Sequence, residues 1–414
     1  MRHIAVIGAG VVGLATAYEL SRQNFRVSVY EANDRPGQET SKANGAQLSY
    51  SFVSPLASPA VLKSLHKLLL ERNGALRLRP HFEWAQFKWL IAFTLACSVR
   101  RNQAGAEDLL ALGVLSRHAL DDLLERHPID FSHNRNGKLQ VFESDSLLAQ
   151  SHAAQTPFLA SHGVEQKYLN ASETVALEPS LAPIEARIKG GLFTPSEEAG
   201  DCEQLCLRLM DLLQSHGVQF HFNTPIVRLQ KTGNKVQAIT KADSVTADDI
   251  VLTSGIGTSQ LLRPLGLDAR IYPLRGYSLS YTLNEGSKAP QVSVSDIRNK
   301  VVYARIGNQL RVAGMIDIGV NRSQSIAHRI ETLKQQVNEF LPELQPVADP
   351  TPWTGERAAR PDSKPVIGAS NISNLYLNVG HGALGFTLAF GSARLLADSL
   401  IGNDNNGLIN RFRP

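Results

Sequence analysis

Apolar and polar positions along the chain switch between two periods, and each change of period marks an element. At the start, "HIAVI" reads as a short buried strand and runs straight into Gly8-Ala9-Gly10-Val11-Val12-Gly13. "LATAYELSRQN" continues at helical spacing, and "RVSVYE" returns to a strand that ends on Glu31. Further on, "CEQLCLRLMDLLQSHG" sets Cys202, Leu205, Cys206, Leu209 and Leu213 on one helical stripe, before the alternating "VQFHF" and then "TPIVRL". "VTADDIVLTSGIGTSQLL" is a buried strand running into Ser254, Gly255 and Gly257. Near the C-terminus the strand "NLYLNV" meets a second glycine turn, Gly380-His381-Gly382-Ala383-Leu384-Gly385, followed by the helix "FTLAFGSARLLADSL".

The first turn has the full setting of a dinucleotide-binding βαβ unit. Gly8 permits a tight turn, Gly10 lets backbone approach a pyrophosphate, and Gly13 lets helix and strand pack closely. The helix start offers free N–H groups and a positive dipole end to phosphate, and Glu31 is placed to accept from a ribose diol. Glycine at the end of the Ser254 strand marks another close approach to the nucleotide. The second turn is not a second nucleotide site. Such a unit takes ~30 residues and a further strand, whereas the tail "IGNDNNGLINRFRP" is polar and holds none. This helix start instead addresses another part of the same cofactor. In a flavin that part is the N1–C2=O edge, which becomes negative on reduction and is stabilised by a helix N-terminus. The cofactor read from the residues is FAD.

Composition narrows the rest. A chain of 414 residues implies two or three folding units. Hydrophobic content of 43% and charged content of 19% are those of a soluble globular protein. A net charge of +4 without a nucleic-acid module gives no reason to expect nucleic acid as a partner. Three cysteines fit a reducing compartment, and the start lacks a signal-peptide pattern, so the cytoplasm is the expected location. The longest apolar run, Trp89 to Val99, falls far short of the ~20 residues of a spanning helix. No metal-ligand spacing and no G-x-S-x-G is present.

The order of motifs resembles the flavoprotein family of D-amino acid oxidase, glycine oxidase and sarcosine oxidase, and within it the bacterial D-amino acid dehydrogenases. The resemblance spans essentially the whole chain. It is carried by "VIGAGVVGLATAYEL", "ETSKANGAQLSYSF", "GDCEQLCLRL", "YPLRGYSLS", "WTGERAARPDSKPVIG" and "NVGHGALGFTLAFGS". It implies an α/β plus α+β fold. A discontinuous, glutathione-reductase-like Rossmann domain for FAD would come from 1–59, 190–270 and 355–414. An inserted substrate domain on a mostly antiparallel sheet would come from 60–189 and 271–354. Ser41, Lys42, Ala43, Asn44 and Gly45 match the loop near the flavin, and Val227 joins the cofactor set. Covalently flavinylated members use a cysteine or histidine; no cysteine lies near either glycine turn, so FAD is expected to be non-covalent. The implied chemistry is oxidative deamination of a D-amino acid such as D-alanine, by hydride transfer to flavin N5. Secondary amino acids or sarcosine, and a non-catalytic FAD-binding role, are the other readings.

Such a site needs a cation for the substrate carboxylate, and the planar fork of arginine suits it. "WTGERAARP" offers Arg357 and Arg360. Arg357 matches the arginine of the family's G-L-R-P, although Glu356 and Ala358 replace its leucine and proline. Tyr277 matches a pocket-lining position, or packs as a strand tyrosine. Tyr303 reads as a further pocket residue or as plain strand alternation. His381 contacts the flavin or is satisfied by backbone. The electron acceptor is a quinone or another acceptor for a dehydrogenase, and oxygen for an oxidase. From Ala60 to Arg101, leucine-rich turns mix with Lys63, Lys67, Arg72, Arg77, Arg79, Lys88, Arg100 and Arg101 and with Trp84, Phe87, Trp89 and Phe93. This region reads either as helices capping the substrate domain or as a peripheral contact with a membrane surface.

Overall fold

A computed structural model describes residues 1–63, 71, 74–81, 83–320 and 323–414. The main elements of its first half are β1 (His3–Ile7), α1 (Val11–Arg22), β2 (Arg26–Tyr30), β3 (Leu76–Leu78), α2 (Trp84–Ala96), α3 (Val99–Arg126), β4 (Lys138–Phe142), β5 (Lys167–Asn170) and β6 (Gly190–Thr194). After them come α4 (Cys202–Ser215), β7 (Gln219–His221), β8 (Asp249–Leu252), β9 (Tyr272–Thr282), β10 (Ser293–Asp296), β11 (Val301–Ile306) and β12 (Gln309–Ile318). The chain ends with α5 (Ala327–Phe340), β13 (Thr351–Ala359), β14 (Val366–Ala369), β15 (Leu375–Val379) and α6 (Gly385–Leu400).

Two large sheets organise the described residues. The first runs β14–β15–β8–β1–β2–β7, parallel except for the β14–β15 pair. Its central strands are apolar on both faces because both are covered, one by helices and the other by the hairpin of Arg228–Thr232 and Lys235–Ile239 with the short helix Thr258–Leu262. On one side α1, α3, α4 and α6 close a core in which Leu14, Leu109, Leu120, Cys206, Leu209 and Leu388 are fully buried. Cys202 and Cys206 are thus core residues, and all three cysteines are free. The second sheet runs β13–β9–β12–β11–β10–β4–β6–β5, with β3 added beside β12. It is antiparallel apart from β4–β10 and β3–β12.

Three segments sit differently from the sequence reading. Gly190–Thr194 and Thr351–Ala359 are strands of the second sheet, so that sheet reaches past the expected boundaries at 190 and 355. Helix α3, expected with the substrate domain, packs its apolar stripe against α6 in the first core. Its stripe repeats Leu109, Leu112, Ser116, Ala119 and Leu123, a spacing that says "buried face" without saying against what.

Candidate active site

The first glycine turn is built from backbone. Gly8 sits at φ +110, where a side chain would be strained, and a Cβ there would come within 3.0 Å of the Thr253 carbonyl. At Gly13 a Cβ would lie 1.9 Å from the Gly8 carbonyl oxygen, so only glycine lets α1 start against the turn. The Glu31 carboxylate accepts from the Ala9 N–H at 2.7 Å and the Asn33 N–H at 2.9 Å. Ser41 Oγ accepts from the Val11 N–H at 3.1 Å in the first turn of α1.

A cavity of about 700 Å³ begins at this turn. Gly8, Gly10, Val11, Val12 and Glu31 line one end, with Ser254 and Gly255 beside them. Ser41, Ala43, Asn44 and Gly45 form a wall, and the whole second turn from Gly380 to Gly385 forms another. The wall loop is pinned to the second sheet. Ser278 Oγ donates to the Ala43 carbonyl at 2.7 Å, Arg311 to the Asn44 carbonyl at 3.2 Å, and Thr40 to the Glu356 carbonyl at 2.7 Å.

Strand register decides which side chains of the second sheet face the cavity, because directly paired residues share a face. Arg357 pairs with Leu274, Gly355 with Gly276, Trp353 and Ala313 with Ser278, and Val302 with Ala313. This is the cavity face, and Arg357, Gly276, Ser278, Ala313 and Val302 all line the cavity. The Arg357 guanidinium lies over Gly276, where a Cβ would be 2.7 Å from Nη2. It has no hydrogen-bond or ion-pair partner among the described residues, and burial pulls its pKa down to about 10, so it stays charged at neutral pH. An unpaired cation held in a cavity wall is a ready site for a carboxylate.

The residues between these positions face the other way. Tyr303, one step from Val302, is fully buried among Leu139, Val312 and Leu333, stacked 5.0 Å from Phe340, with its hydroxyl unpartnered. It is a core residue, outside the cavity. Tyr277 borders the cavity, but its ring packs in the same core and its hydroxyl donates to Asp317 at 2.7 Å. Asp317 also receives Arg77 and Arg329. Burial opposes ionisation of Asp317, yet the bonds from Arg329, Tyr277 and Arg77 hold its carboxyl below the ordinary range. The Tyr277 hydroxyl is therefore committed to the fold, in place of the substrate contact the sequence suggested.

Other expected residues separate likewise. Arg360 donates to the Ala269 carbonyl at 2.7 Å and pairs with Asp362 at 3.3 Å, so Arg357 is the open one of the two arginines. His381 lines the cavity, while its Nε2 is bound to Ser392 of α6 at 2.9 Å, and burial pushes its pKa down to about 3. The ring is neutral, with its Nε2 engaged. Val227 is exposed and bonds its N–H to the Ile239 carbonyl; its neighbours Pro225 and Ile226 line the cavity instead. Lys42 closes a turn on the Glu39 carbonyl and is absent from the lining, as is Gly13, whose part is packing.

Three of the cavity residues that the sequence reading missed bear on its chemistry. Lys138 of β4 lies on the cavity face with its ammonium buried, bonded to Ser49 Oγ at 2.9 Å and 4.5 Å from the Phe52 ring centre. Gln47 lines the same end. Met315 adopts φ +59 within β12, and it is the extra residue of a bulge, since Gly276 pairs with Ile316 and Tyr277 with Gly314. The glycine at 314 is the mark of that bulge; a lysine in "NGKLQVF" gives no sign of being buried.

A family model described as FAD dependent oxidoreductase (DAO) matches residues 3–399. The chain belongs to this family. It is 42% identical over 406 residues to D-amino acid dehydrogenase 2 of Ralstonia nicotianae, covering 95% of each chain. It is 35% identical over 401 residues to a D-amino acid dehydrogenase of Vibrio cholerae, covering 97% of this chain and 95% of that one. Among solved structures its fold is similar to that of glycine oxidase from Geobacillus kaustophilus, at 19% identity and a TM-score of 0.74, covering 100% and 96% of the two chains. L-proline dehydrogenase from P. horikoshii gives 15% identity and a TM-score of 0.75, with the same coverage. The protein is an FAD-dependent oxidoreductase, and its cavity fits the cofactor. The Gly8–Gly13 turn packs tightly as backbone at the end where a pyrophosphate would sit, with Gly10 open to the cavity, Glu31 suits a ribose, and the N-terminal turn of α6 opens on the remainder.

Proposed function

We propose that this protein is a D-amino acid dehydrogenase, taking small apolar D-amino acids such as D-alanine to the imino acid, which water converts to the 2-oxo acid and ammonia. The observation that carries the reading is Arg357: a charged side chain on the cavity face, over Gly276, without an acidic partner among the described residues. Its fork receives the substrate carboxylate. Val302, Ala313, Ile316 and Met315 beside it give an apolar surface for a small side chain and keep water away. FAD, when bound, accepts the hydride of the substrate α-carbon. Gly8, Gly10, Ser41 and Glu31 would hold its nucleotide part and the Gly380–Gly385 turn its ring part. The names of the relatives in Ralstonia and Vibrio support the same substrate class.

Attachment of FAD is non-covalent in this reading. No cysteine lines the cavity, and the ring of His381 is bound to Ser392. The acceptor is a membrane quinone, reached from a bilayer surface through α2. Trp84, Phe87, Ile91 and Leu95 fall on one side of this helix and are 67%, 53%, 47% and 61% exposed. The other side, Gln86, Trp89, Phe93 and Ala96, is buried. Exposed Lys88, Arg100 and Arg101 flank the apolar side, whereas Arg77 is tied to Asp317. Lys67, Arg72 and the side chain of Lys63 lie outside the described residues. No helix among the described residues is long and apolar enough to cross a membrane.

The test is an anaerobic titration of the yellow protein with D-alanine, L-alanine, both prolines and sarcosine. Bleaching of the flavin band by D-alanine and not L-alanine is expected, with slow recovery in air. Bleaching by sarcosine or a proline alone would replace the substrate class. Flotation with anionic liposomes tests the α2 contact; binding should fall sharply in a Trp84→Glu, Ile91→Glu double variant.

A further inference from the structure

We propose that Lys138, Ser49 and Gln47 form a hydrogen-bond chain that presents a polarised amide donor to the flavin ring and makes the bound cofactor a stronger electron acceptor. The inference rests on FAD occupying the cavity described above. It does not rest on which amine is oxidised.

The chain can be followed atom by atom. Lys138 Nζ donates to Ser49 Oγ at 2.9 Å, and Ser49 Oγ donates in turn to Gln47 Oε1 at 3.5 Å. The other end of the Gln47 amide, Nε2, is buried and has no acceptor among the described residues. Gln47, Ser49 and Lys138 all line the cavity, and all three belong to its α6 end. There the Ser49 N–H donates to Thr387 Oγ1 at 3.3 Å, in the first turn of α6. So the chain lies beside the helix start that opens on the ring part of the cavity.

Its charge is uncompensated at close range. Among the described residues Lys138 has no carboxylate within ion-pair distance, and Phe52 covers it on one side. The Glu197 charge acts on it, and that carboxylate is itself buried and takes the Ser51 N–H at 3.2 Å. A buried ammonium at the head of a hydrogen-bond chain strengthens the donors further along, because each bond polarises the next at low dielectric. The donor at the far end is an amide N–H in a cavity whose ligand gains negative charge on reduction. Helix start and chain therefore act in the same direction.

Sulfite is the probe, since it adds to oxidised flavin and leaves the ring negatively charged without any amino acid present. Wild type, K138M, K138Q, K138R and S49A are purified as holoenzymes. Sulfite dissociation constants are read at pH 7 from loss of the visible band, and reduction potentials by dye equilibration. K138M and K138Q should weaken sulfite binding about tenfold or more, S49A by several-fold, with K138R staying near wild type, and the potentials should fall in the same order. Neutral variants that hold FAD and bind sulfite as wild type does would overturn the proposal. Loss of FAD from both neutral variants while K138R retains it would also overturn it, making Lys138 a residue of folding. Failure of the substrate reading looks different: a yellow wild type that no amino acid bleaches, while K138M, K138Q and S49A still weaken sulfite binding in the expected order.

Discussion

The turn before α1 and the cavity face of the large sheet border one ligand site, yet they are made by different means. The turn is backbone: Gly8 and Gly13 contribute by lacking a Cβ, which brings the start of α1 close against β1. The sheet face is side chain: Arg357, Ser278 and Lys138 matter only because register points them inward, while Tyr277 and Tyr303, one residue off, are turned into the core. A backbone site tolerates almost no change at its glycines. A side-chain site tolerates much around it, and concentrates its chemistry in a few groups.

The sharpest way to break the first region is Gly13→Ala. The added methyl would lie 1.9 Å from the Gly8 carbonyl oxygen, and that oxygen belongs to backbone that cannot swing aside. Forcing α1 off the turn should cost about 3 kcal/mol or more. The expected result is loss of FAD on gel filtration and a fall in Tm of many degrees. A yellow, wild-type-stable G13A would show that the turn is looser than its geometry.

In the second region Arg357→Leu removes the open cation over Gly276 and leaves a substrate carboxylate unpaired, at a cost of about 2–5 kcal/mol. kcat/KM for D-alanine should drop about thirtyfold or more, mostly through KM, with FAD content unchanged. Arg360→Leu loses an ion pair to Asp362 instead, and KM should move little. Equal effects from the two variants would erase the distinction between them.

These contrasts explain what could be read from the residues alone. The glycine turns, the acid at Glu31 and the helix starts were legible because their signals are local: a spacing, a strand before, a helix after. The two-sheet layout and the Ser41–Gly45 wall came through family resemblance, and the family is borne out by residues 3–399. Side-chain direction was not legible. "LRGYS" and "VVYAR" each carry a tyrosine near the cavity, and only the structure shows that the Tyr277 hydroxyl goes to Asp317 and that Tyr303 lies in the core. Nor did a stripe on α3 say that its partner is α6 rather than the second sheet.

His381 links the two regions, since it stands in the second glycine turn and is closed off by Ser392. In the folded protein it takes a proton only near pH 3, against 6.5 when unfolded, because burial excludes the charged ring. Between those values the unfolded chain holds more protons, so stability present above pH 6.5 is lost as pH falls, by roughly 1.4 kcal/mol per unit. His381→Asn should flatten the Tm profile between about pH 6 and 4 while leaving it unchanged at pH 8. Parallel profiles for variant and wild type would mean that His381 is not what limits acid stability.

The smallest effect sharpens the comparison most, since it tests a residue beside the site that takes no part in it. The Tyr303 hydroxyl is fully buried, and burial pushes its pKa well up, with no partner to repay desolvation. Its ring does the packing, stacked on Phe340 and wedged against Leu333. Tyr303→Phe keeps that ring and removes an unsatisfied polar atom, a change that is neutral or stabilising by about 1 kcal/mol. Tm should hold or rise, and kcat/KM for D-alanine should stay within twofold. A tenfold loss of activity at unchanged Tm would mean that the hydroxyl reaches the cavity, and that the division of the sheet into a working face and a core face fails at β11.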